Sequence, residues 1–335
     1  MKPILGKDLS EIEAFIFDYH GNKRHAATLC NAIYRKRIQH IHDIKSIPLT
    51  LRKAITTDYF IGNYLFNRVE ESTDGTNKYL FINERGYDFE TAYLPGTKRN
   101  TLCISTQSGC RMGCEFCKTG QLGLKGSLSA FDMLNQLYSI PQSNEVNRLV
   151  LMGMGEPFDN FTEVTRALRI LTSQWGFAFG KSNITISTVG ILNPLRGFLQ
   201  NPLCNLAISL NSPFPVERIQ LMPIERSNPI SEVASLVRLN PLPEPLRVSF
   251  EYVALGGMNL TRHHARAISV LLRGIRCHLN IINWNHHPTS RFKLPANNEV
   301  SKFIEHLNHF GVLASVRESR GQDIGAACGT MVGKG

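Results

Sequence analysis

Nowhere in its 335 residues does the chain hold an apolar run near the roughly 18 to 20 residues that a membrane-spanning helix needs. The opening MKPILGKDLSEIEAF turns charged before a signal-type apolar region can form, so the expectation is a cytoplasmic protein with no membrane attachment. Internal repeats, low-complexity tracts and long Pro-rich linkers are also missing, which leaves no sign of a solenoid or a tethered tail. Charged residues are only 19% against 42% hydrophobic, too apolar for a disordered chain. Acidic residues are outnumbered 27 to 37 by Lys and Arg, a formal charge of +10. That excess favours a polyanionic partner, because cations that neutralise phosphates release condensed counterions. The local concentrations at Lys23-Arg24, Arg35-Lys36-Arg37 and Arg52-Lys53 can equally be read as solvated helix faces.

Length suggests one catalytic domain with a smaller companion. Residues 1 to about 90 read as a mainly helical unit, with ATLCNAIYRKRIQHI and SIPLTLRKAI as helices. The stretch Asn63 to Tyr93 alternates apolar and polar residues about the turn Thr73-Asp74-Gly75-Thr76-Asn77, which predicts a β-hairpin leading into residues 91–335. From there TLCIST, NRLVLMG, NITIST, NLAISL, LRVSFEYVAL, CHLNIIN and VLASVR alternate with helical patterns. Such βαβ repetition predicts an α/β fold with a parallel sheet curled into a full or partial barrel, chemistry lying at the carboxyl ends of its strands.

A reducing compartment makes a structural disulfide framework among eight cysteines implausible, so spacing decides their use. Cys30, Cys204 and Cys277 stand alone in apolar or strand-like surroundings and read as inert buried thiols. Cys110, Cys114 and Cys117 instead share the loop SGCRMGCEFC after a predicted strand, with no fourth ligand nearby. Structural zinc and iron-sulfur carriers normally take four protein ligands; three thiols leave one iron of a cubane open to a substrate. Zinc and plain redox alternatives remain at this point. One βα unit later, Gly153-Met154-Gly155-Glu156-Pro157 combines close-approach glycines with a carboxylate able to accept from an ammonium group. Ser187, Ser209-Leu210-Asn211 and Asn285 end successive predicted strands, each of which could also be a simple cap or turn residue.

The C-x3-C-x2-C loop resembles the radical S-adenosylmethionine (SAM) superfamily. The resemblance narrows further: TLCISTQSGCRMGCEFCKTG, VLMGMGEP, NITISTVG, AISLN, LMPI, EYVALGGMN and RGQDIGAACG resemble the RlmN/Cfr family of radical SAM RNA methyltransferases, from about residue 20 to 331. It implies a partial (βα)6 radical SAM barrel with a small helical N-terminal accessory domain that engages RNA. It also implies a [4Fe-4S] cluster on Cys110, Cys114 and Cys117, and SAM held by Gly155, Glu156, Ser187, Ser209, Leu210, Asn211 and Asn285. By the same resemblance Cys328 carries the methyl, Cys103 is the second catalytic cysteine and Glu90 is the proton acceptor. Taken alone these three read as a buried tail thiol, an inward strand residue and a surface carboxylate.

The implied reaction is methylation of an adenosine carbon, C2 or C8, in 23S rRNA and possibly tRNA. A methyl-cysteine intermediate and a Cys103–Cys328 disulfide formed during turnover go with it, both thiols being free at rest. An electron donor such as flavodoxin or ferredoxin, and a monomeric state, are implied too. Asn211, Thr106, Asn283 and Gly96 depart from the family's usual His, Ser, Pro and acid, marking a divergent member. A radical enzyme acting on a peptide or small metabolite is the alternative; a cluster-binding or RNA-binding module without catalysis has no need of Cys103 and Cys328.

Overall fold

The computed structural model describes residues 1–285, 290–296 and 298–333. Its N-terminal unit holds α1 (Leu9–Asp18), α2 (Lys23–Cys30) and α3 (Leu49–Asp58), with the short parallel strands β1 (Lys2–Pro3) and β2 (Tyr59–Phe60) pairing its ends. Asp8 and Glu11 form a reciprocal capping box that starts α1, and Ile12, Phe15 and Ile16 then recur at helical spacing on its buried face. After α2 a π-turn over Asn31–Arg35 shifts the helix phase. There Arg35 Nη1 donates to the Phe177 carbonyl (3.1 Å) and, just beyond, Arg37 Nη1 to Ser143 Oγ (2.9 Å). The basic run 35–37 is therefore only partly a solvated face; two of its arginines fasten the helical unit to the rest of the molecule.

The main sheet has ten strands in the order β14-β13-β12-β11-β10-β9-β6-β5-β4-β3. Its antiparallel part is β3 (Arg68–Glu71), β4 (Asn77–Ile82) and β5 (Asp88–Leu94). Its parallel part is β6 (Thr101–Cys103), β9 (Arg148–Leu151), β10 (Ile184–Thr188), β11 (Asn205–Ser209), β12 (Val248–Ala254), β13 (Cys277–Asn283) and β14 (Ala314–Arg317). A separate ribbon of β7 (Gln107–Cys110) and β8 (Gly123–Ser127) flanks the cysteine loop. Helices α4 (Lys118–Gln121), α5 (Ala130–Tyr138), α6 (Phe161–Thr172), α7 (Leu192–Gln200), α8 (Pro215–Leu221), α9 (Ile230–Leu239), α10 (Arg262–Leu271) and α11 (Glu299–His309) supply the connections. This is the expected partial (βα)6 barrel, six βα units completed by β14. The hairpin is no linker: β5 pairs with β6, and the boundary drawn between residues 90 and 91 falls inside β5.

Strand alternation gives the barrel its two surfaces. Ile186, Ile208, Phe250, Tyr252, Leu279 and Ile281 are fully buried in the core. Their sequence neighbours Ser187, Ser209, Glu251 and Val253 line a cavity. The interior is thus open, its Ser187, Ser209 and Glu251 set among apolar Val150, Met152, Val253 and Ile282, rather than filled by interlocked aliphatic side chains. Among the described residues no helix is long and apolar enough to cross a membrane.

Candidate active site

The cavity, about 210 Å³, lies at the carboxyl ends of the parallel strands, where loops leave the sheet. Cys110, Cys114 and Cys117 line it, as do Cys103, Cys328, Gly155, Glu156, Ser187, Ser209, Asn211 and Asn285. Residues separated by more than two hundred positions in sequence thus meet in one place.

The cysteine loop is shaped by its backbone. Gly109 has φ +73°, and a Cβ there would lie 1.9 Å from the Gly123 carbonyl, so only glycine permits the β7–β8 approach that launches Cys110. The loop is then pinned from three sides: Glu115 N–H donates to the Leu221 carbonyl (3.0 Å), Trp284 Nε1 to Phe116 (3.3 Å) and Lys118 N–H to Gly329 (2.8 Å). Burial pushes the Cys110 thiol up to about 12 and raises those of Cys114 and Cys117. Metal binding must therefore displace protons from these sulfurs.

Glu156 is buried, and its carboxylate accepts three hydrogen bonds of the roughly four its lone pairs allow. Its Oε1 accepts from Thr188 Oγ1 (2.6 Å) and Phe158 N–H (3.0 Å), and its Oε2 from Val189 N–H (2.9 Å). Burial lifts its carboxyl to about 7 against the pull of those three donors. Gly155, at φ +99°, lets the chain pass Gln107, whose Oε1 accepts from Glu156 N–H (2.9 Å); a Cβ at 155 would meet Gln107 Cβ at 2.5 Å. The carboxylate and the ribbon that launches the cysteines are thereby locked in register.

Cys103 ends β6, and its thiol is pushed up to about 12, first by burial and next by the nearby Cys328, with the Arg317 cation opposing. Cys328 is exposed, not the buried tail thiol its sequence suggests when read alone. Cys30 and Cys204 are buried as expected, whereas Cys277 is half-buried. All eight cysteines are free, so the Cys103–Cys328 disulfide has no counterpart in this structure.

Three expected residues are placed differently. Leu210 is fully buried in the core and does not line the cavity. Asn285 lines it, but its Nδ2 donates to the Cys328 carbonyl and its Oδ1 accepts from Gln322, both at 3.0 Å. Glu90 is no surface carboxylate: it is fully buried, outside the cavity lining, with Lys78 Nζ 3.2 Å from Oε1 and Val332 N–H donating to Oε2 at 2.9 Å.

Two residues carried no motif signal. Arg218, fully buried, donates to the carbonyls of Leu210, Ser209 and Val189 (3.0, 2.9 and 3.0 Å) and pairs with Glu225, drawing the ends of β10 and β11 together. Glu251 lines the cavity from β12, with Oε1 accepting from Ser249 and Asn280, both at 2.8 Å. A lone Arg in PVERIQL reads as surface charge, and nothing in EYVAL marks its Glu as inward.

No family model matches the chain. Among curated proteins, the probable dual-specificity RNA methyltransferase RlmN of Parabacteroides distasonis is 38% identical over 330 residues, 98% of this chain and 96% of that protein. The dual-specificity RNA methyltransferase RlmN of Syntrophus aciditrophicus is 37% identical over 331 residues, covering 97% of this chain and 95% of its own. Among solved structures, a radical SAM methyltransferase from Sphaerobacter thermophilus superposes with a TM-score of 0.92 at 33% identity, covering 99% of both chains. A likeness that runs the whole length joins the barrel, the helical unit and the tail in one architecture, that of a radical SAM methyltransferase. Identity at this level over nearly all of both sequences makes the relationship one of family, and the chain belongs to the RlmN family.

That class implies a [4Fe-4S] cluster and SAM. Among the described residues no three His, Cys, Asp or Glu form a group that could hold a metal ion. Three thiols facing one cavity, those of buried Cys110 and Cys114 and half-buried Cys117, suit a cubane instead, because each thiolate takes a different iron and the fourth iron stays open.

Proposed function

We propose that the chain methylates an adenosine carbon, C2 or C8, in RNA, with 23S rRNA and tRNA as its substrates. The supporting observation is the meeting of Cys103 and Cys328 in the cavity that also holds the three loop thiols. Plain zinc or iron-sulfur binding gives no use to two further thiols placed there.

Cys110, Cys114 and Cys117 would hold the cluster, and Gly155, Glu156, Ser187, Ser209 and Asn211 would hold SAM. Together these groups supply a methyl donor and a radical able to take hydrogen from a carbon. The chain's own residues do the rest. Cys328, exposed on the tail, carries the methyl carbon to the base. Once that carbon is bonded to the adenine, the Cys103 thiolate attacks the Cys328 sulfur. An S–S bond forms and the carbon–sulfur bond breaks. Its electron pair passes to the departing carbon, which takes up a proton, while the ring proton goes to a base. Cellular thiols then reduce the disulfide. Glu90 is our candidate for that base, and proton removal through it requires release from Lys78 and Val332.

RNA must present an unstacked adenine to so enclosed a site, which favours loops and single strands. Exposed Lys23, Arg24, Lys36, Lys45 and Lys53 on the helical unit give it a basic surface suited to RNA phosphates. The reading includes an electron donor of the flavodoxin or ferredoxin kind and a monomeric, cytoplasmic enzyme. Mass spectrometry of nucleosides from rRNA and tRNA of cells with and without the protein tests it. A methyladenosine that vanishes with the gene supports the reading; unchanged RNA with a modified peptide or metabolite overturns it.

A further inference from the structure

The barrel is an open one, and its two free edges are β14 and β3. After β14 the tail does not wander: it returns to the turn between β3 and β4, and the two segments bind each other reciprocally. From the turn, Asp74 Oδ2 accepts from Gly321 N–H of the tail (2.8 Å). From the tail, Asp323 Oδ2 accepts from Thr73 N–H of the turn (3.1 Å) and Oδ1 from Ser72 Oγ (2.6 Å). Arg320 lies across the junction, donating to the Asp74 carbonyl (2.6 Å) and to the carbonyl of Pro95. Packing leaves little slack, since a Cβ at Gly321 would meet Ala326 Cβ at 2.7 Å and Thr76 Cγ2 at 2.9 Å.

We propose that Asp74 and Asp323 form a clasp that closes the open side of the barrel and sets the position of the Cys328 loop. They are positioning residues, acting on Cys328 through the tail backbone, and this step rests on the methyl-carrying reading of Cys328. Four residues separate Asp323 from Cys328, and Ala326 N–H donates to the Gly321 carbonyl (2.8 Å), so the intervening turn transmits the anchor. Closure by a few side-chain hydrogen bonds differs from closure by a strand ladder: it can open without unpairing the sheet. A macromolecular substrate could thus gain access while the strands that carry the cavity stay fixed.

The chemistry of the two carboxylates makes the clasp testable by an asymmetry. Asp74 accepts a backbone N–H on each oxygen, Thr76 on Oδ1 (2.8 Å) and Gly321 on Oδ2, and an amide offers only one acceptor. Asp323 accepts one backbone N–H and one hydroxyl, and a hydroxyl can rotate to accept from an amide instead. Asp323→Asn should therefore preserve the clasp, while Asp74→Asn, Asp74→Ala and Asp323→Ala should each break it.

The experiment is hydrogen exchange by mass spectrometry on the cluster-reconstituted protein, with iron content and methyl-Cys328 per SAM cleaved measured on the same samples. In the three breaking variants, amides of residues 318–333 should exchange about ten- to a hundredfold faster, the factor expected for one lost charge-assisted hydrogen bond. Iron content and exchange in β10–β13 should stay unchanged, methyl-Cys328 or RNA product per SAM cleaved should drop, and Asp323→Asn should match the parent. Unchanged tail exchange in the alanine variants overturns the clasp. Faster exchange with unchanged product per cleavage overturns the positioning role. An unmethylated Cys328 in active parent protein sinks the methyl-carrying reading instead, and the exchange arm still decides the clasp.

Discussion

Asn285 donates through Nδ2 to the backbone carbonyl of Cys328 at 3.0 Å, tying the end of β13 to the tail. Because its Oδ1 is also engaged by Gln322, the amide works within the chain as a bracket for the tail. Asn285→Ala should keep its iron and its SAM affinity within about threefold, and lower the yield of methylated product per SAM cleaved. A tenfold loss of SAM affinity measured by equilibrium binding would instead assign the amide to the cofactor.

Glu156 is expected to accept from the SAM ammonium group, so it must be ionised when SAM binds. With its carboxyl raised to about 7 by burial, the protonated share grows as pH falls below that value. SAM affinity should therefore decline between pH 8 and pH 6, approaching about tenfold per unit on the acid side. The same shift sets a sign for stability. A carboxyl raised in the fold from 4.5 contributes stability that is complete at acid pH and lost as pH rises through about 7. Glu156→Ala should retain iron, bind SAM roughly ten- to a hundredfold more weakly and lose the pH dependence.

Arg218 and Glu225 form a buried ion pair, and the guanidinium also serves three carbonyls. Arg218→Met should destabilise the protein by about 3–5 kcal/mol in denaturant titration, because it strands a buried carboxylate. Arg218→Met combined with Glu225→Gln should recover part of that loss. Equal stability of the two variants would show that the carbonyl contacts, not the charge, carry the effect.

Cys114 is buried in an apolar cluster with Leu221, Met222, Leu255 and Trp284. Anaerobically reconstituted protein should hold about four irons per chain and cleave SAM to 5'-deoxyadenosine, and Cys114→Ala should lose both. Cys204→Ala, in the core and away from the cavity, should keep both. Stoichiometric zinc without cleavage would remove the radical reading.

Cys103→Ala should join its Cys328 carbon to RNA and fail to let go, since no thiolate remains to attack the sulfur. A denaturant-resistant, ribonuclease-sensitive protein–RNA species should copurify with that variant and be absent when Cys328→Ala is added. Normal turnover by Cys103→Ala would rule out its resolving role.

Much of this was legible from local pattern. The strand NITIST shows its isoleucines and its serine on opposite faces, and the spacing of Cys110, Cys114 and Cys117 speaks for itself. What stayed hidden was non-local. The hairpin could be read about Asp74-Gly75, but its pairing of β5 with β6 depends on residues whose partner strand is not visible in an alternation pattern. Arg218 escaped for a related reason: one charge in a short helix reads as solvated until the carbonyls it serves are in place. Glu90 was marked only by the resemblance and Asn285 by its place at a strand end, and spacing could not reveal that Glu90 is buried against Lys78 and Val332 or that Asn285 binds the tail.

The open interior of the barrel has a thermodynamic corollary. A lumen of about 210 Å³ between the strand ends leaves the fold without the cohesion that a side-chain filling would provide. Part of its stability must then come from whatever occupies the space, because a ligand that binds only the native state adds about 2.7 kcal/mol at a hundredfold excess over its Kd. The melting temperature should accordingly climb with SAM concentration. The unliganded, iron-free chain should be the form most open to proteolysis, so the supply of iron and SAM would set the lifetime of the enzyme as well as its rate.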